Sequence, residues 1–405
     1  MELSRLDGLA ERPGIAELFS ALGPASSRFV GGAVRDGLLG LEVNDLDLAT
    51  TLTPYEVMRR CGAADIKTVP TGIEHGTVTA VIDRHPVEIT TLRSDVSTDG
   101  RRATVAFTDN WQADAERRDF TINALYWDHE KRRLFDYFGG QGDLAEGRVR
   151  FIGEPLRRIA EDHLRILRFF RFQARFGRGE PDAHSLAACI ARANDLMALS
   201  RERIADELLK LLALPDPVET VELMVRHAIL RPVVPEIAGD CCSRLAALVE
   251  AEASAGIVPA ALRRLAALLT PDPLVAERVA ARLKLSNKAR KRLALASVAE
   301  LDGTPEALAY WIGQEGAEDR LLLAGRAHDA AGLRSFAPRK LPVGGGDLIR
   351  RGAVPGPAIA RTLQDIERRW VEEGFPGDER LAQLVDEALD AAGRAGVASR
   401  NAAER

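Results

Sequence analysis

The sequence predicts an α+β protein, with a mixed β-sheet in residues 1–150 and helices from there to the carboxyl end. Three observations predict it. Short β-type runs separated by turns fill the chain up to Arg150. Two of the connections between those runs are short and polar, which suits antiparallel hairpins. After Pro155 the β pattern gives way to Leu and Ala on recurring helical faces, interrupted by prolines.

The β-type runs are Arg28 to Val30, Asp45 to Leu48, Thr77 to Asp83, Val87 to Leu92, Thr121 to Trp127 and Arg133 to Asp136. Asp83 to Pro86 and Asp128 to Lys131 are the hairpin-like connections, and helical patterns lie between the early runs. At about 100 to 200 residues per domain, the chain divides into two to four units. The expected boundaries give a head at 1–150, a neck at 151–215, a body at 216–338 and a tail at 339–405. The last boundary falls in LPVGGGDLIRRGAVPGP, where Gly and Pro concentrate before a final pair of helical patterns.

Composition excludes some classes and is silent on the rest. No apolar run approaches the roughly 18 residues needed to cross a bilayer, so no membrane partner is expected. Met1 to Gly23 mixes charges into an amphipathic pattern without the apolar centre of a secretory signal, which predicts a cytoplasmic protein. Cys61, Cys189, Cys241 and Cys242 lack CxxC spacing and are expected to be reduced and structural. With a formal charge of −5, any nucleic-acid partner must be held by local basic surfaces.

Arg28 to Val30 form a strand, Gly31 and Gly32 turn the chain, and Ala33 to Leu39 make a helix stopped by Gly40. Such a turn leaves backbone N–H groups and a helix amino terminus free to meet phosphate oxygens, and Arg35 adds a cation in the first turn. A Gly pair before a helix can equally be a tight connection alone.

In Asn44-Asp45-Leu46-Asp47-Leu48 the acids alternate with leucines, so a strand would project both carboxylates from one face. Two like charges held together call for a cation, and hard oxygen ligands suit Mg²⁺ bridging nucleotide phosphates. Solvated acids on an exposed strand are the alternative; position after the glycine turn favours the metal. Glu88 is either a third carboxylate that activates an attacking hydroxyl or an edge-strand glutamate facing water.

In Glu116 to Leu125, Arg118 can pair with phosphate, while Asp119 and Asn123 can hydrogen-bond ribose hydroxyls. Further on, Asp162 and Arg165 are three apart on an expected apolar-periodic helix. They form an intrahelical salt bridge, or they stand in for a template base. The amine of C or A would donate to the carboxylate, and the adjacent ring nitrogen would accept from the guanidinium. U and G would place a carbonyl against Asp162 and be repelled. Arg168 and Arg171 follow at three-residue steps and either reach phosphates or solvate that side.

Together VGGAVRD, DLDLAT, RRDFTINAL, LFDYFGGQGDL, EDHLRILRF and SRERIADELLKLL resemble, in order, the motifs of bacterial class II CCA-adding tRNA nucleotidyltransferases and their poly(A) polymerase relatives. The match runs from about Phe29 to Leu212, and six ordered motifs are specific. The resemblance implies a nucleotidyltransferase-type head in which Asp45 and Asp47 bind catalytic Mg²⁺. It implies that Gly32, Arg35 and Arg118 contact the nucleotide, and that Asp162 and Arg165 read the base with Arg168 and Arg171 nearby. It makes residues 136–143 a flexible head-to-neck connection and Ser200 to Glu207 a supporting neck motif, within which Glu202, Arg203 and Glu207 are expected to pair with one another. The polar stretch Ser94 to Asp109, with Gly100, Arg101 and Arg102, is similar to the mobile loop associated with the change from C to A addition.

The expected reaction is attack of a tRNA 3′-hydroxyl on the α-phosphorus of CTP or ATP, with pyrophosphate leaving. Poly(A) polymerase, CC-only or A-only addition, and a noncatalytic RNA-binding relative are the alternatives. For tRNA binding, Arg282, Lys284, Lys288, Arg290, Lys291 and Arg292 form an acid-free run that is either phosphate-facing or solvated. The histidines, His328 included, offer no metal-ligand set for a phosphohydrolase.

Overall fold

The computed structural model describes residues 2–98, 103–237 and 239–403. The chain forms two compact units, Met1–Pro235 and Glu236–Arg405. No helix among the described residues is long and apolar enough to cross a membrane. All four cysteines are free, and Cys61, Cys189 and Cys241 are buried, as expected.

The first unit is built on strands β1 (Ser27–Val30), β2 (Leu46–Thr50), β3 (Thr68–Gly72), β4 (Thr77–Ile82), β5 (His85–Thr91), β6 (Arg93–Thr98), β7 (Ala103–Phe107), β8 (Leu125–Asp128) and β9 (Arg133–Asp136). Seven of them make one sheet in the order β3-β4-β5-β2-β1-β8-β9, and β6 pairs with β7 apart from it. The β2–β5 pair is parallel and the remaining pairs antiparallel, so the sheet is mixed as predicted. Ile82 pairs with His85, which leaves Asp83 and Arg84 as a two-residue turn with φ of 46° and 67°. Positive φ at both positions matches the twist of a hairpin.

Several elements depart from expectation. β2 starts at Leu46, so Asp45 precedes the strand and is exposed. β8 starts at Leu125, because Thr121–Asn123 forms a 3-10 turn instead. β5 lies between β4 and β2, so Glu88 is on an interior strand and not at an edge. The polar stretch after Ser94 is the β6–β7 hairpin and not a loop; Gly100, Arg101 and Arg102 lie outside the described residues. Thr68–Gly72 adds an edge strand whose exposed residues show no alternation to read.

The helix Arg165–Phe176 docks through aromatic packing. Phe120 and Phe151 form a β-bridge, and the Phe169 ring stacks on Phe151 at 5.9 Å. Asp162 does not belong to this helix. It follows the helix Pro155–Glu161 with extended backbone, φ −152° and ψ 107°, and its Oδ1 accepts the Leu164 N–H at 3.1 Å. A carboxylate accepting a nearby backbone N–H competes with helix continuation and separates the two segments. Residues 136–143 are knitted locally, since Asp136 accepts from the backbone N–H groups of Phe138, Gly140 and Gln141 at 3.2, 2.9 and 2.9 Å.

The regular elements of the second unit, among its described residues, are all helices. Arg263, Arg264, Glu252 and Asp319 are all within 2% of complete burial in its interior. Glu252 accepts from Arg263 at 2.7 Å and Arg264 at 2.8 Å, and Asp319 accepts from Arg263 at 3.0 Å and Arg292 at 2.7 Å. The basic run is therefore split. Arg282 forks onto Glu236 at 2.6 and 2.7 Å and Arg292 turns inward, while Lys284, Lys288, Arg290 and Lys291 are exposed.

Candidate active site

The first unit contains a cleft of about 550 Å³ lined by Gly31, Gly32, Arg35, Asp47, Arg93, Arg117, Arg118, Asp119, Asn123, Asp162, Arg165, Arg168 and Phe172. Arginines outnumber aspartates along this wall, so the cleft is locally cationic in a chain of net charge −5. That balance suits a ligand carrying several phosphates.

At one end, Gly31 caps the helix Gly32–Leu39 with φ 68° and ψ −124°, a conformation reserved for glycine. A Cβ there would lie 3.4 Å from Arg118 Nη1, so the turn and this guanidinium face each other. Arg35 lines the cleft but is 6% exposed, donates to Asp36 at 2.7 Å and also to Asn123. Burial pulls its pKa down, against the pull of Asp36.

Asp47 shares this wall and is directly opposite Glu88 in the β2–β5 register. Burial, then the negative charge of Glu88, push its carboxyl up to about 6, with Asp45 adding and Arg118 opposing. Asp45 and Glu88 are exposed and stand outside the cleft lining. An acid destabilised by its own neighbours is a fit place for a cation. Among the described residues no three His, Cys, Asp or Glu side chains gather into a closed cage. The arrangement suits a hard divalent cation that takes one or two carboxylates and completes its shell with water and phosphate oxygens.

Asp119 and Asn123 are already paired. Asn123 donates to Asp119 Oδ1 at 2.9 Å, and Arg168 donates to Asp119 Oδ2 at 2.7 Å. Against burial, Arg168 holds the Asp119 carboxyl far below the usual range. Arg171 is not part of the cleft lining and donates to Glu207 at 2.6 Å.

At the other end, Asp162 and Arg165 do not bridge each other. Asp162 Oδ2 accepts from Arg203 at 2.8 Å, and Arg165 donates to Glu161 at 2.6 Å, to Arg158 O at 2.7 Å and to Arg117 O at 3.2 Å. Arg203 and Glu207 thus pair across to the segment Asp162–Arg171 and not with each other. Oδ1 and Oδ2 of Asp162 each keep a lone pair, and Nε of Arg165 has no partner among the described residues.

Sequence reasoning did not single out Asp114, Tyr126, Arg158, Arg93 or Phe172. Asp114 is 1% exposed and accepts from Arg117, Arg118 and Tyr126. Its spacing, three and four residues before the two arginines, was the available signal. Arg158 tethers the Arg117 and Arg118 carbonyls. Phe172 backs Arg35, Arg168 and Arg171, with ring centroids 4.7 to 5.4 Å from their guanidiniums.

The chain is similar to known proteins over nearly all of its length. The family described as "Poly A polymerase head domain" matches residues 27–150, and "Probable RNA and SrmB- binding site of polymerase A" matches residues 180–241. The human protein named CCA tRNA nucleotidyltransferase 1, mitochondrial, is 48% identical over 188 residues, which span 46% of this chain and 43% of the human one. The Bacillus stearothermophilus CCA-adding enzyme, solved in complex with CTP, has 25% identity and a TM-score of 0.66 over 93% of this chain and 94% of that one. The Danio rerio protein of the same name as the human one is 34% identical over 398 residues, 93% of this chain and 90% of its own. With that identity running nearly end to end in both proteins, the chain belongs to the CCA-adding tRNA nucleotidyltransferase family.

Proposed function

We propose that the protein adds C, C and A to the 3′ end of tRNA from CTP and ATP without a nucleic-acid template, releasing pyrophosphate. Members of its family generally use a divalent metal; in this reading the metal is Mg²⁺, held by Asp45 and Asp47. The observation that carries the reading is one cleft that holds the Gly31-Gly32 turn, Asp47 and Arg118 together with Asp162 and Arg165.

Bound Mg²⁺ would supply charge neutralisation at the phosphates and lower the pKa of the attacking hydroxyl. Backbone N–H groups that follow Gly31 at the start of the helix Gly32–Leu39, and Nη1 of Arg118, bind the triphosphate; the Gly31 N–H is held by the Leu125 carbonyl at 3.2 Å. Glu88 accepts the proton of the tRNA 3′-hydroxyl as that oxygen bonds to the α-phosphorus and the bond to pyrophosphate breaks. Asn123 and Asp119 line the ribose side, where their mutual bonds and those to Arg35 and Arg168 fix their positions. Asp162 takes the exocyclic amine of C or A, and Nε of Arg165 donates to the adjacent ring nitrogen. Arg171 and Arg203 support that helix and carboxylate from behind.

Residues 151–215 serve as the neck in this reading, and residues 216–338 and 339–405 as body and tail that hold tRNA, supported by the exposed Lys284, Lys288, Arg290 and Lys291. The location is cytoplasmic; the mitochondrial names of the vertebrate relatives supply the opposing outcome of a fractionation experiment.

The test is incubation of the purified protein with tRNA ending before CCA, with tRNA ending after CC, and with an unrelated RNA. Addition of CCA to the first and A to the second, stopping there, is expected. Long A tails on the unrelated RNA without use of CTP would make it a poly(A) polymerase. Asp47→Ala should abolish incorporation and leave tRNA binding nearly intact, and Glu88→Gln should slow incorporation by about 100-fold, as loss of a proton acceptor does.

A further inference from the structure

Asp114, on the helix Trp111–Glu116, does not line the cleft, yet three residues that do line it hang from its carboxylate. Arg117 donates to Oδ1 at 2.7 Å, Arg118 Nη2 donates to Oδ2 at 3.1 Å, and the backbone N–H of Arg93 donates to Oδ1 at 3.3 Å. The Tyr126 hydroxyl donates to Oδ2 at 2.7 Å and accepts from Arg118 Nε at 3.1 Å. One edge of the Arg118 guanidinium, Nε with Nη2, is therefore filled from behind. The remaining nitrogen, Nη1, is the one that faces Gly31.

We infer that Asp114 is a positioning residue for nucleotide addition: with Tyr126 it locks the Nε–Nη2 edge of Arg118 so that Nη1 is aimed at the phosphate end of the cleft before nucleotide arrives. This rests on the reading of the cleft as the nucleotide site. A guanidinium has several rotatable bonds upstream and a rigid planar fork, so fixing its orientation in the free protein spares the incoming phosphate that ordering cost. Asp114 performs this while remaining charged. Burial favours its neutral form, but Arg118, Arg117 and the Tyr126 hydroxyl outweigh burial and hold it at about 2. It also keeps the Arg117 and Arg118 guanidiniums from repelling one another freely, since the two share its oxygens.

A preorganising group behind a phosphate contact acts on ground state and transition state alike. Asp114→Asn should raise KM for both CTP and ATP by about tenfold, leave kcat within about threefold, and weaken CTP binding measured by calorimetry to the same degree. Tyr126→Phe, which removes one hydroxyl and leaves the carboxylate, should move KM in the same direction by a smaller factor, and it decides the matter if Asp114→Asn does not fold. In an Arg118→Ala background Asp114→Asn should add little, because its effect runs through that side chain. The inference is overturned if both variants keep wild-type KM and CTP affinity, if kcat alone falls, or if the two substitutions multiply. Those results in a wild-type protein that binds CTP and extends tRNA would refute the positioning role alone; a wild-type protein that does neither would refute the underlying reading as well.

Discussion

Arg203 Nη2 donates to Asp162 Oδ2 at 2.8 Å, across 41 residues of chain. With Leu164 N–H on Oδ1, the carboxylate is held at both oxygens and its plane is fixed relative to Arg165. The two side chains are 37% and 31% exposed, so the pair contributes about 1 kcal/mol or less to stability. Its value lies in orientation. Arg203→Ala should leave melting nearly unchanged while raising KM for CTP and ATP about five- to tenfold and admitting UTP and GTP more readily. Single-nucleotide incorporation with each of the four triphosphates measures this; unaltered selectivity would remove Arg203 from base reading.

Asp47 gives a pH dependence whose sign is opposite to that of an ordinary paired acid. Its carboxyl is raised from 3.8 to about 6, by burial first and by Glu88 second. Between those values the folded protein binds more protons than the unfolded chain, so stability of the metal-free protein falls as pH rises through the window. At neutral pH the folded state therefore carries an unrelieved charge. Asp47→Asn should raise Tm in EDTA at about pH 7.5, and the gain should vanish near pH 4, where wild-type Asp47 is protonated in the folded state. Added Mg²⁺ should stabilise the wild type and not the variant. Thermal melts with and without metal at the two pH values test both statements.

How far the site could be read in advance follows from how local its parts are. Gly31, Gly32 and Arg35 sit on one strand-turn-helix segment, with Asp45 just before the next strand and Asp47 on it, so motif spacing alone singles them out. The sheet was legible where burial alternates, as at Val87 and Ile89, and illegible at Thr68–Gly72, an edge with little to bury. Asp162 was found but misplaced, because apolar periodicity runs straight through a break made by its own carboxylate. Arg203 and Glu207 were seen as neighbours at helical spacing, yet their partners come from distant chain, Asp162 for one and Arg168 and Arg171 for the other. Glu88 was undecidable for the same reason: only the parallel β2–β5 register places it opposite Asp47.

In the helical second unit, Glu252 is 1% exposed and is shared by Arg263 and Arg264, themselves 2% and 1% exposed. Removing its charge leaves two buried guanidiniums short of an acceptor. Glu252→Gln should cost about 3 to 5 kcal/mol, the usual consequence of breaking a buried ion pair from one side. Arg282→Ala, where the Arg282 and Glu236 side chains are 33% and 19% exposed, should cost about 1 kcal/mol or less. Urea denaturation followed by circular dichroism compares the two; equal losses would show that burial does not set the difference.

Gly31 and Gly32 are adjacent but are glycines for different reasons, and two alanine substitutions separate them. At Gly31, φ of 68° with ψ of −124° is strained for any side chain, although a new Cβ would make only ordinary contacts, 3.4 Å from Arg118 Nη1 and 3.8 Å from the Asn123 carbonyl. Gly31→Ala should therefore destabilise the first unit by about 1 to 3 kcal/mol and, because relief of that strain would shift the turn that Arg118 Nη1 faces, also raise KM for CTP. At Gly32 the nearest atom to a new Cβ is Arg35 Nη2 at 3.7 Å, an ordinary contact, and the residue opens a helix where alanine is favourable. Gly32→Ala should keep or slightly raise Tm. It should still weaken CTP binding, because the added methyl would stand between the backbone N–H groups and the phosphates they are placed to meet. Loss of affinity without loss of stability at Gly32, against loss of both at Gly31, is the pattern that melts and CTP titrations should return. A Gly32→Ala protein with wild-type CTP affinity would mean that the triphosphate does not approach this turn closely.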